Sequence, residues 1–212
     1  MAAHTASDLI HFHAPQSRST ATLWLLEELG IERETRVLNF KTSEHKEPWY
    51  LAINPMGKVP AISHRGTVVT ESAAIAMYLA DAFPAAGLAP SIGDPQRGSY
   101  LRWLVFNSAC VEPAIIDRAM KREGGSPAML PYGDAQTTID VLAKALEKGP
   151  FILGERFSAA DVVVGSGVRW MLMFKLLPER PEFTTYAARL NERPALRRQA
   201  AMDQEFMAKL AE

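Results

Sequence analysis

Two short stretches hold the residues best suited to chemistry. Asn54-Pro55-Met56-Gly57-Lys58-Val59-Pro60-Ala61-Ile62 reads as a loop running into a strand, because Pro55 and Gly57 break any helix and Val59 to Ile62 is apolar. A proline at the start of a strand has no N–H to give to a ladder. If the Val59-Pro60 bond is cis, the chain bends there and the N–H and C=O of Val59 face outward, open to an extended peptide that pairs as an added strand. Downstream, Glu71 and Ser72 stand at the head of an apolar helix. Free N–H groups and a hydroxyl at a helix N-terminus favour a carboxylate. Glu71 beside them can accept hydrogen bonds from an ammonium group. A strand edge, an anion site and a cation site so close together suit a small zwitterionic peptide.

The elements that must position these residues follow from periodicity and punctuation. Leu9 to His13 reads as a strand, broken by Ala14-Pro15-Gln16. Ser17 to Leu29 reads as a helix with Leu23, Leu26 and Leu29 on one face and Gly30 as its stop. Glu34 to Leu38 is a second strand, so the first pair is parallel with a right-handed crossover. A short helix is possible at Pro48. Ala61 to His64 and Thr67 to Val69 flank Arg65-Gly66, a hairpin signal. The helix from Ser72 ends at Phe83, before Pro84.

Residues 85–93 read as a linker, and 94–212 as an all-helical domain. Asp94 caps a helix with Pro95 at its first position, running to about Met120 with a kink at Pro113. Lys121 to Gly133 is a loop. Ala135 to Lys148 is amphipathic. Ser158-Ala159-Ala160-Asp161 is a capping-box variant, in which Ser158 caps forward and Asp161 reaches back. The helix that follows is apolar nearly all round and therefore buried, with Gly165, Ser166 and Gly167 letting neighbours approach. Two further helices close the chain, about Glu182 to Asn191 and Pro194 to Leu210. The fold class is α/β plus all-α.

Composition narrows the function. The chain has 212 residues, 48% apolar and 22% charged, with a formal net charge of -1 and no long block of one sign. That argues against a nucleic-acid partner held by bulk electrostatics. The single cysteine, Cys110, allows no intrachain disulfide and fits a reducing compartment. The first residues lack the basic and apolar regions of a secretory signal. The apolar runs are too short for a membrane span. These features lead us to expect a cytoplasmic protein with no membrane partner. His11 and His13 could suggest a metal, but no third ligand stands nearby in the sequence, and none is expected.

"NPMGKVPAI" followed by "TESAAIAMYLADAFP", with "WLLEELGI" upstream and "FILGERFSAADVVVG" downstream, resembles the cytosolic glutathione S-transferase family, in its serine-type, bacterial-like form. The likeness covers nearly the whole chain. It implies a thioredoxin-like glutathione-binding domain over residues 1–84 and a helical domain that supplies an electrophile pocket. It implies glutathione as co-substrate, a hydrophobic electrophile, a role in detoxification and a homodimer. Members of this fold activate the glutathione thiol with a donor just after the first strand, usually Tyr, Ser or Cys. The first tyrosine here is Tyr50 and no cysteine precedes Cys110, which leaves Ser17-Arg18-Ser19. Counting back from Gly30, Ser17 falls where serine-type members carry their catalytic serine. Ser19, Arg18 and a backbone N–H remain its rivals, and a serine here can also merely cap the helix.

The resemblance further assigns His45 and Lys58 to the glycine carboxylate of glutathione, and Val59, Pro60, Glu71 and Ser72 to its peptide. Trp103, Phe106, Asn107 and Cys110 are candidates for the electrophile pocket, against the plainer reading that they fill a core. Ser158 and Asp161 are structural caps. Two other readings stand beside conjugation. One is a glutathione-dependent isomerase or dehalogenase. The other is a non-catalytic binding module, against which the presence of Lys58, Glu71 and Ser72 argues.

Overall fold

A computed structural model of the chain describes residues 8–122 and 125–211. Residues 1–7, 123, 124 and 212, which fall within the domain and loop bounds expected above, lie outside the described residues. The described chain divides into two units. One runs to Ala86 and resumes at Pro194, and the other is Gly87–Arg193.

In the first unit, β1 (Leu9–His13), α1 (Ser19–Leu29) and β2 (Glu34–Val37) form the expected parallel crossover. β3 (Ala61–His64) and β4 (Thr67–Thr70) form the hairpin, with positive φ at both Arg65 and Gly66, as a tight two-residue turn demands. The sheet order is β2-β1-β3-β4, with β1 antiparallel to β3. Alternation along β1 sorts its side chains. Phe12 and Ile10 join Ala14, Leu38, Tyr50, Ile53, Val59 and Ala61 in one cluster, capped by the short helix α2 (Pro48–Leu51). His11 and His13 point to the other face, where α1 buries Leu23, Trp24, Leu25 and Leu26. α3 (Ser72–Ala82) packs against α1.

The last helix, Pro194–Lys209, departs from the expected division at residue 94. It packs on α1 and belongs with the sheet unit. The reason is visible in its side chains. Ala195, Leu196 and Gln199 are buried, Arg198 pairs with Glu27 of α1 at 2.7 Å, and Asp203 reaches His13 of β1 at 2.8 Å.

The second unit holds α4 (Arg97–Phe106), α5 (Glu112–Ala119), α6 (Ala135–Leu146), α7 (Ala159–Met173) and α8 (Pro181–Asn191). We number the final helix of the sheet unit α9. α4 starts later than the Asp94 cap predicts. The Asp94 carboxylate accepts the N–H of Gln96 at 2.8 Å, so Asp94-Pro95 forms the approach turn and not the first helical turn. The irregularity expected at Pro113 lies just before it. Asn107–Val111 is one wide π-turn, in which Glu112 donates its N–H to Asn107 O, five residues back. The box before α7 forms as read. Asp161 accepts the Ser158 N–H at 2.9 Å, and also the Ile152 N–H at 2.7 Å and the Tyr186 hydroxyl at 2.9 Å. A Cβ on Gly165 would overlap Leu190 Cδ1, so this glycine is what lets α7 and α8 close on each other.

Candidate functional site

The register of the sheet brings the candidate residues to one end of it. Phe12 of β1 stands opposite Ala61 of β3, which stands opposite Thr70 of β4, and His13 is in register with Val37 of β2. The loop after β1 carrying Ser17, the Val59-Pro60 entry to β3, the Glu71-Ser72 exit from β4 and the loop after β2 carrying His45 therefore all leave or enter at the same edge. In open sheets this is where ligands bind, outside the carboxyl ends of the parallel strands.

Ser17 is half-buried and Ser19 fully buried, while Arg18 is exposed. The Ser17 hydroxyl donates to Ala14 O at 2.7 Å, lies 2.8 Å from the Ser19 hydroxyl, and accepts the Ser19 N–H at 3.2 Å. It thus takes up the first N–H of α1 while the residue stays half-buried. Ser19 hydrogen-bonds with His13 Nδ1 at 2.8 Å and accepts the Ala14 N–H at 3.0 Å. Neither His13 nor Asp203 is a site residue that periodicity or motif spacing reveals.

The entry to β3 is held by its own carbonyl. Lys58 O accepts the Tyr50 hydroxyl at 2.6 Å and Asn54 Nδ2 at 2.8 Å, which leaves the Lys58 side chain exposed. Burial pushes the Tyr50 phenol up to about 12, so it stays a donor. The Val59-Pro60 bond is cis and lies outside the ladder, which begins at Ala61. Gly57 has φ +59, and a Cβ there would come within 2.8 Å of His45 O. That contact pins the loop of His45 to the Asn54–Lys58 turn. His45 itself is half-buried, its ring tilted against that of Phe40 with centroids 4.3 Å apart, and its buried Nδ1 has no hydrogen-bond partner among the described residues. Lys46 donates to Met56 O at 3.3 Å.

Glu71 is exposed and caps α3 with φ 68 and ψ 121, a conformation that L-residues avoid. Ser72 is half-buried at the first position of α3. A shallow depression lined by Glu27, Gly30, Ile31, Glu32, Arg33 and Arg198 lies at the far end of α1 from Ser17. Ion pairs of Glu27 with Arg33 and Arg198 close it, and it has no part in this site.

In the second unit, Trp103 is buried, with Phe106 edge-on to it at 5.5 Å and the Arg102 guanidinium 4.2 Å above it. Asn107 is buried at the head of the π-turn, and its Oδ1 has no partner among the described residues. Cys110, which on the plainer reading fills a core, is only half-buried. Its thiol donates to Pro131 O at 3.3 Å, and burial raises its pKa. Among the described residues no group of three or more His, Cys, Asp or Glu is placed to hold a metal ion. None of the described helices is long and apolar enough to cross a membrane.

A mixed sheet of this order with α1 and α3 packed together, followed by a helical unit, is a thioredoxin-like domain joined to a helical one. Residues 7–81 match the family described as "Glutathione S-transferase, N-terminal domain". Glutathione S-transferase A of Pleuronectes platessa is 30% identical over 192 residues, covering 82% of each chain. A glutathione transferase structure from Methylococcus capsulatus superposes with TM-score 0.78 at 28% identity, over 92% of this chain and 98% of that one. A family member from Pseudomonas fluorescens, whose structure carries two bound glutathione molecules, gives 0.77 at 25% identity over 93% and 94%. The chain belongs to the glutathione S-transferase family.

Proposed function

We propose that the chain binds glutathione at the sheet edge defined by Ser17, Val59, Glu71 and Ser72, and transfers the glutathionyl sulfur to an electrophilic carbon or reduces a peroxide with it. The observation that carries this reading is the register. It gathers at one edge a hydroxyl, an unladdered backbone segment and a helix N-terminus beside a carboxylate, which are the complements of a thiol, a peptide backbone and a zwitterionic end. His45 and Lys58 supply positive charge for the glycine carboxylate. Trp103, Phe106, Asn107 and Cys110 are proposed to meet the electrophile. The protein works as a cytoplasmic homodimer. A free thiol titrates near pH 8.5. A hydrogen bond donated to sulfur favours the thiolate and lowers that value. Ser17 is the proposed donor, because it is half-buried while Ser19 is fully buried.

Retention on immobilised glutathione followed by a conjugation assay tests the activity. Binding without turnover on any electrophile would favour a non-catalytic module. The donor is tested by ultraviolet titration of the thiolate in the enzyme–glutathione complex. A hydrogen bond to a charged group is worth about 1.5–3 kcal/mol. Ser17→Ala should therefore raise the thiol pKa by roughly one to two units and lower kcat about 10–150-fold below that pKa. If Ser17→Ala leaves the thiol unchanged and Arg18→Ala or Ser19→Ala raises its pKa, the donor is the rival. If none of the three shifts it, backbone N–H groups activate the sulfur.

A further inference from the structure

Asp203, His13, Ser19 and Ser17 form one continuous line of hydrogen bonds from α9 to the candidate site, with spacings of 2.8, 2.8 and 2.8 Å. We propose that Asp203 and His13 are positioning residues that, through Ser19, set the orientation of the Ser17 hydroxyl toward the thiol. The proposal rests on the reading of Ser17 as the thiol-activating group.

Protons and lone pairs along this line constrain one another. A carboxylate only accepts, so the His13 nitrogen facing Asp203 Oδ1, Nε2, must carry a proton and donate it. The other carboxylate oxygen accepts the N–H of Gln16 at 3.2 Å, so both oxygens of Asp203 are tied to β1 and the loop that carries Ser17. Nδ1 is left facing Ser19. The Ser19 oxygen already accepts the Ala14 N–H. If Nδ1 is bare, the single Ser19 proton goes to it at 2.8 Å in preference to Ala14 O at 3.0 Å, and one Ser19 lone pair remains that can accept the Ser17 proton. If Nδ1 is protonated, it fills that last lone pair. Ser19 then donates to Ser17 or to Ala14 O, and Ser17 can no longer donate to Ser19. Ala14 O also accepts the Ser17 hydroxyl, at 2.7 Å, so the imidazole decides whether Ser19 competes with Ala14 O for the Ser17 proton, and the imidazole is held by Asp203.

The surroundings support a dedicated pair. His13 and Ser19 are fully buried and Asp203 nearly so. The other rings at His13 are His11 at 5.3 Å and Phe206 at 5.6 Å. Burial, then His13 and Arg33, keep the His11 pKa low, so His11 stays neutral. Its ring nitrogens have no partner among the described residues. Ser19, His13 and Asp203 have the composition of a nucleophilic triad, but the buried Ser19 oxygen cannot meet a substrate carbonyl. Ser17, next in line, is only half-buried. Holding α9 in place does not require burying a carboxylate against an imidazole, since apolar contacts do that at lower desolvation cost.

The test is the same ultraviolet titration of glutathione bound to the full-length protein, run as a double-mutant cycle. Asp203→Asn should raise the bound thiol pKa by about half to one unit, three- to tenfold less thiolate below it, in the Ser17 background. It should have no effect in the Ser17→Ala background. Ser19→Ala should behave alike, and it carries the test alone if Asp203→Asn does not fold. The proposal is overturned if Ser17→Ala raises the pKa but neither Asp203→Asn nor Ser19→Ala does. An equal shift in both Ser17 backgrounds also overturns it, because the effect then bypasses Ser17. If Ser17→Ala itself shifts nothing, the assignment of Ser17 fails, and the positioning role fails with it.

Discussion

Glu71 combines a charge with a backbone cost. At φ 68 and ψ 121 it sits where a non-glycine residue costs about 1–3 kcal/mol, and the fold tolerates this at the head of α3. A glycine would remove that cost and the carboxylate together. We expect Glu71→Gly to raise the unfolding midpoint by the equivalent of about 1 kcal/mol, after its own unfolded-state entropy is charged against it. Glu71→Ala should not. Both should weaken glutathione binding about 10–150-fold, the loss of one charge-assisted contact, with KM rising more than kcat falls. A Glu71→Gly variant that gains stability and binds glutathione normally would remove Glu71 from the site. The sequence shows Glu71 and Ser72 as a helix head because apolar periodicity starts right after them. It does not show the φ angle, since a glutamate at this position offers no local sign of strain. His13 and Asp203 are hidden for a different reason. Their partnership spans most of the chain, and no local pattern encodes which side chain of α9 meets which strand.

Element boundaries were legible wherever the stop signal is local. β1, β3 and the end of α1 fall where Pro15, Arg65-Gly66 and Gly30 place them. The π-turn at Asn107–Val111 was not, because the missing N–H of Pro113 frees the chain to rearrange upstream and does not say where. The α7 box is the mixed case. The Ser158–Asp161 pairing is readable from their spacing, but Ile152 and Tyr186, which complete the carboxylate's set of donors, are contributed by other segments. Asp161→Ala should therefore cost more than the loss of a cap. It strands buried donors at about 1–3 kcal/mol each, whereas Ser158→Ala should cost about 0.5–2 kcal/mol. Denaturant titration separates the two. Burial, opposed by these hydrogen bonds, pushes the Asp161 carboxyl up from its ordinary 3.8 to about 6. The folded state then holds a proton that the unfolded chain releases. This stabilisation is full below about 3.8 and is lost as pH rises through about 6. The advantage of wild type over Asp161→Ala should accordingly be larger at about pH 5 than at pH 7.5. An advantage that instead grows with pH would mean that the donors outweigh burial.

For the whole molecule, the proposed homodimer has apolar surface to draw on. Met56 is 63% and Val68 43% exposed in the sheet unit, and Val105 is 52% exposed on α4. Light scattering should give twice the 23.4 kDa chain mass at micromolar concentration, and a single-chain mass there would count against it. The return of the chain to its first unit leads to a sharper expectation. A reading of domains by sequence order ends the sheet unit near Pro84, yet α9 supplies part of its core and the Asp203 partner of His13. Truncation after Arg193 uncovers the surface of α1 that Leu196 buries, a side chain whose full burial is worth about 1.5–3 kcal/mol. It also leaves the buried His13 Nε2 unpaired, at a further cost of about 1–3 kcal/mol. Against a typical stability of about 5–15 kcal/mol, this is enough to unfold the sheet unit in part of the population. Gly87–Arg193 keeps its own helices and core. The truncated chain should thus retain much of its helical circular dichroism, lose retention on immobilised glutathione, and show rapid amide exchange over β1 and α1 while α7 stays protected. Exchange that accelerates first in α7 would mean that the last helix supports the second unit and that the boundary at residue 94 read from the sequence was the better one.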